Sequence, residues 1–134
     1  MLESFFHEEE FEILFLEETT KTDKKPGGNI LYSNCLHKGP GGNQSGGVTV
    51  WINENLQIKR RRDLEPTRCD GRIDAIFLEL QRVGEKNVIL GGVYINPADK
   101  FINPIKYLTK TVEKILNEDK EIVLGGDWNV KIKE

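Results

Sequence analysis

One strong helix signal, set just before a final apolar strand, does most to limit the folds open to this chain. Asn103 can cap free backbone N–H groups, and Pro104 suits the first helical position, where a missing donor costs nothing. Ile105, Leu108, Val112, Ile115 and Leu116 then fall on one face, and Asn117 ends the helix. Residues 121–124 follow as a short buried strand, closed by Gly125, Gly126, Asp127, Trp128 and Asn129. Upstream, residues 11–16, 29–35, 48–53, 73–81 and 88–95 read as strands. Residues 56–60 are expected to pair back onto 48–53 through the turn at Asn53 and Asn55, and 83–87 to form a hairpin turn. Leu2, Phe5 and Phe6 suggest a short helix before the first strand. Hairpins plus one long amphipathic helix point to a layered α/β or α+β sandwich.

Length and charge bound the function. At 134 residues there is room for one domain, spanning 1–134. The net charge of −3 is far from the basic balance of a dedicated nucleic-acid coat, although a local patch can do what net charge does not. Cys35 and Cys69 lack metal-ligand spacing, and only His7 and His37 are present, so free thiols and no structural zinc site are expected. The acidic N-terminus has no signal-peptide layout, and no apolar run is long enough to span a membrane. The expected location is intracellular, in nucleus or cytoplasm, with no membrane partner.

Three strand ends carry polar groups: Glu17 with Glu18, Tyr94 with Asn96, and Asp127 with Asn129. A sheet can hold reactive groups rigidly at such ends while loops admit a substrate. Singly, each has a plain explanation: solvated loop carboxylates, a core aromatic with its hydroxyl at the surface, and a turn whose side chains bond their own backbone. Together, two carboxylates and an amide oxygen form an oxygen-only donor set, which suits magnesium or manganese rather than zinc or copper. The basic run Lys59, Arg60, Arg61 and Arg62 is either a solvated strand edge or a phosphate-backbone contact.

These residues carry a resemblance to the endonuclease/exonuclease/phosphatase family, and most to the endonuclease domains of LINE-type (non-LTR) retrotransposons. Residues 13–19, Ile-Leu-Phe-Leu-Glu-Glu-Thr, resemble an apolar strand ending in Gln-Glu-Thr, with Glu18 on the family's metal-binding glutamate. Residues 46–51 resemble its glycine-pair strand, 92–97 its Val-Tyr-x-x-Pro strand, and 125–129 its Gly-Asp-Phe-Asn signature with Trp128 for the phenylalanine. The matches come in family order.

The resemblance implies an α/β fold, part of a four-layer sandwich of two facing mixed β-sheets flanked by helices, without the family's C-terminal strands. It also implies roles: Glu18 holding Mg2+ or Mn2+, Asp127 activating water, Asn129 and Tyr94 contacting the phosphate, and Lys59, Arg60, Arg61 and Arg62 adding weaker contacts to DNA. The family's upstream asparagine and late Ser-Asp-His signature have no counterpart here. An incomplete domain follows as the expectation: a fragment, a piece of a polyprotein, or a chain that dimerises to cover an open sheet face, with reduced activity by itself. Two other outcomes remain open at this point. One is a non-catalytic remnant that binds metal, nucleic acid or a protein, and the other is a phospholipid or inositol-phosphate phosphodiesterase.

Overall fold

The computed structural model describes residues 13–17, 29–34, 47–53, 55–96 and 102–127. They form β1 (Ile13–Glu17), β2 (Asn29–Asn34), β3 (Val48–Asn53), β4 (Ile58–Arg60), β5 (Ile73–Leu80), β6 (Val88–Ile95), α1 (Ile102–Asn117) and β7 (Glu121–Asp127). Short 3-10 turns at Arg62–Leu64 and Arg68–Asp70 link β4 to β5. The suggested helix near Leu2, Phe5 and Phe6 lies outside the described residues.

The strands divide into two sheets. One is antiparallel with order β1-β3-β2, and the other is mixed with order β4-β5-β6-β7. β4, β5 and β6 pair antiparallel, whereas β6 and β7 are parallel. Parallel neighbours need a crossover longer than a hairpin, and α1 supplies it. The turn at 83–87 joins β5 to β6 as expected.

Alternation sorts β5 and β6 onto two apolar faces, because successive side chains point to opposite sides of a strand. Ala75, Phe77, Ile89, Val93 and Ile95 pack with Tyr107 and Ile115 of α1. Ile76, Leu78 and Tyr94 pack with Val48, Val50 and Ile52 of the antiparallel sheet. The described residues thus stack as helix, mixed sheet and antiparallel sheet. The glycine pair in β6 lets both neighbours come close. A β-carbon on Gly91 would lie 2.6 Å from both Leu124 and Phe77, and one on Gly92 would collide with the ring of Phe15 across the sheets.

Three sequence expectations change. First, residues 56–60 do not pair back onto β3; β4 joins β5, with Ile58 opposite Leu80 and Arg60 opposite Leu78. The short loop only turns the chain, and packing of the half-buried Ile58 against the inter-sheet core fits the pairing with β5.

Second, α1 begins at Ile102, so Asn103 is inside the first turn rather than the cap, while Pro104 keeps a position whose N–H has no helical partner. Its buried residues are Pro104, Tyr107, Thr111 and Ile115, whereas Ile105 and Leu116 are exposed. The face is rotated because polar atoms on it are satisfied. The Tyr107 hydroxyl donates to the Leu64 carbonyl at 2.5 Å and Thr111 Oγ1 donates to the Tyr107 carbonyl at 2.9 Å.

Third, the final strand runs to Asp127 and is not buried. Among the described residues β7 pairs only with β6, and Val123 is 57% exposed.

A charge network secures the end of the mixed sheet where β5 finishes. Arg61, buried on the loop after β4, donates to Asp63 (2.9 and 2.8 Å), Glu79 (2.6 Å) and Glu118 (3.0 Å, twice). Lys120 donates to Glu79 and Glu118, and Asn87 to Glu79. Burial pushes the Glu79 carboxyl up, but the bonds from Lys120, Asn87 and Arg61 outweigh it and hold the group down at about 2.

Candidate active site

The candidate site lies at the opposite end of the mixed sheet, where β6 and β7 both finish. Their parallel register sets Gly92 beside Gly125, Val93 beside Gly126 and Tyr94 beside Asp127. Two residues predicted from distant parts of the sequence therefore become direct strand neighbours. Tyr94 is 4% exposed and is packed in the inter-sheet core. Gly126 has a φ of 151°, a conformation that a side chain would strain, directly before Asp127.

β1 brings the third strand end. Phe15 lies over Gly92, two residues before Glu17 and two before Tyr94 respectively. Ile13 and Phe15 share a cleft of about 690 Å³ with Leu90, Gly91, Gly92, Val123, Gly125 and Gly126. The cleft wall is apolar and glycine-lined. A β-carbon on Gly125 would meet nothing within 4 Å, so the backbone there is open to a ligand. Glu17 closes β1 opposite Val48. Glu18 and Asn129 lie outside the described residues, and Asp127 is described through its backbone.

The basic run is placed elsewhere. Arg60 and Arg61 are drawn into the fold. Arg60 makes a two-pronged pair with Glu65 at 2.7 and 2.9 Å, and its guanidinium sits 5.1 Å from the centre of the Tyr32 ring. Arg61 is the hub of the network above. Lys59 and Arg62 are exposed. β4 joins β5 at Leu78 to Leu80, four or more residues from the Tyr94 row, so the run borders the far half of the sheet.

Sequence reasoning missed Asp74. It is 3% exposed and lies opposite Tyr94 on β5. The available signal was the break in alternation: a carboxylate within a strand whose residues Ile73 to Glu79 are all buried.

Among the described residues, no three His, Cys, Asp or Glu side chains are grouped to hold a metal ion. The carboxylates expected at an ion are Glu18, outside the described residues, and Asp127, the last residue of β7. Their oxygens are hard donors of the kind magnesium and manganese take.

The fold defines the class first: a layered α/β domain in which a helix, a mixed sheet and an antiparallel sheet stack. Solved structures share this fold. The "Endonuclease domain of TRAS1, a telomere-specific non-LTR retrotransposon" matches with a TM-score of 0.63 and 16% identity, over 97% of this chain and 54% of that one. Truncated Caenorhabditis elegans TDP2 matches with a TM-score of 0.65 and 16% identity, over 99% and 56%. The human Nocturnin catalytic domain, solved with bound sulfate, matches with a TM-score of 0.65 and 14% identity, over 97% and 55%. The chain thus spans about half the length of the structures it matches. A comparison with curated proteins gave no match. The chain belongs to the Endonuclease/Exonuclease/phosphatase family, whose sequence pattern matches residues 2–131. No helix among the described residues is long and apolar enough to cross a membrane.

Proposed function

We propose that the chain carries part of a metal-dependent phosphodiesterase domain whose substrate is DNA, of the kind carried by non-LTR retrotransposons. The observation that carries this reading is the register of Tyr94 with Asp127 at the end of the parallel pair, with β1 ending on the facing sheet. Family membership supports phosphate-ester hydrolysis, and the TRAS1 neighbour supports a DNA substrate.

In this reading Glu18 holds Mg2+ or Mn2+. When bound, such an ion supplies Lewis-acid stabilisation of charge on a phosphodiester. Asp127 accepts a proton from the attacking water. Asn129 and the Tyr94 hydroxyl hydrogen-bond the phosphate oxygens, where charge builds up in the transition state. The glycines at 125 and 126 leave room for the phosphate backbone to approach. Exposed Lys59 and Arg62, rather than Arg60 and Arg61, are the members of the basic run left to meet DNA.

A second reading is a non-catalytic remnant that binds an ion or nucleic acid without cleaving. One experiment separates the two. Supercoiled plasmid is incubated with the purified chain and Mg2+ or Mn2+, beside Asp127→Ala. Nicking by the wild type alone supports hydrolysis, and equal background in both supports the remnant. Lipid or inositol-phosphate turnover without nicking would redirect the substrate.

A further inference from the structure

β5 carries two buried carboxylates, and only one is explained by the charge network. Glu79 is held by Arg61, Lys120 and Asn87. Asp74 stands at the other end of the strand. It is directly opposite Tyr94, which is itself directly opposite Asp127, so the three residues form one row across β5, β6 and β7. Directly opposed antiparallel residues have β-carbons about 5 Å apart, close enough for one side chain to limit the other.

Alternation puts Asp74 on the face of Ile76 and Leu78, toward the antiparallel sheet, where aliphatic residues fill the equivalent positions. A buried carboxylate there is costly unless other groups satisfy it, and an aliphatic side chain would avoid that cost. Neither Asp74 nor Tyr94 is free in the fold. A carboxyl group at this depth, beside the buried phenol at the strand end, is better matched to a site than to a core.

We propose that Asp74 is a positioning residue of the phosphodiester site, fixing Tyr94 so that its hydroxyl meets the phosphate. This rests on the hydrolase reading above. Asp74 acts through Tyr94 and contacts neither substrate nor ion.

The test uses the purified chain with Asp74→Asn, Tyr94→Phe and the double variant. Initial rates of plasmid nicking with Mg2+ give kcat and KM, and ring-labelled tyrosine NMR follows Tyr94, assigned by its loss in Tyr94→Phe. Asp74→Asn is expected to lower kcat by roughly 10–100-fold with KM little changed, the usual effect of altering a residue that orients a group at the site. It should add nothing in the Tyr94→Phe background. The Tyr94 ring signals should move, while those of Tyr32 and Tyr107 stay. Additive losses, or unmoved Tyr94 signals, overturn the proposal. If the wild type does not nick, the hydrolase reading fails separately and the NMR arm still decides whether Asp74 sets Tyr94. Should Asp74→Asn fail to fold, Asp74→Ser takes its place with the same outcomes.

Discussion

Glu79→Gln tests the charge network with almost no change of shape. The Glu79 carboxyl sits at about 2 against an ordinary value of 4.5, and the side chain is 12% exposed. A depressed carboxylate stabilises the fold above its unfolded pKa and loses that contribution as pH falls toward its folded pKa. The difference corresponds to about 3 kcal/mol at pH 7, falling to about 1.4 kcal/mol at pH 3. Glutamine cannot carry the charge, so the gap between wild type and variant should shrink by roughly half on acidification. Arg61 keeps Asp63 and Glu118 in the variant, and Lys120 keeps Glu118, which sets about 3 kcal/mol as an upper value. Urea denaturation at pH 7 and pH 3, followed by tryptophan fluorescence, measures both gaps. A gap below about 0.5 kcal/mol at pH 7, typical of a surface pair, would refute the reasoning. So would a gap that stays constant between the two pH values.

Four further outcomes are expected. Gly92→Ala should destabilise by about 1–3 kcal/mol because its methyl meets the Phe15 ring, while Gly125→Ala should melt within a few degrees of wild type; differential scanning calorimetry compares them. Tyr107→Phe strands the buried Leu64 carbonyl and should cost about 1–3 kcal/mol in the same measurement. Mg2+ or Mn2+ should raise the melting temperature of the wild type but not of Asp127→Ala, since a ligand that binds only the folded state stabilises it. Lys59→Ala with Arg62→Ala should flatten the salt dependence of DNA binding, read by fluorescence anisotropy, and leave melting unchanged, whereas Arg61→Ala should lower melting sharply.

Local chemistry made much of this protein readable. β3, β5 and β6 are compact runs of β-branched and aromatic residues, and α1 announces itself through Pro104 and its apolar spacing. Such signals act over a few residues, so they survive in the sequence whatever the rest of the chain does. The strand-end groups Tyr94 and Asp127 were legible for the same reason, since each follows an apolar run. Partner choice was not legible. Nothing local to residues 58–60 says that β4 joins β5, and nothing local to α1 says that Tyr107 and Thr111 face inward while Ile105 does not. The Arg60 and Arg61 charges resemble a solvated patch until Glu65, Glu79 and Glu118 are brought to them from elsewhere in the chain. Asp74 shows its place only when β6 lays Tyr94 against it. Sequence by itself determined which segments become strands and helix; register, face and charge pairing were decided in the tertiary structure, because they depend on contacts between residues far apart along the chain.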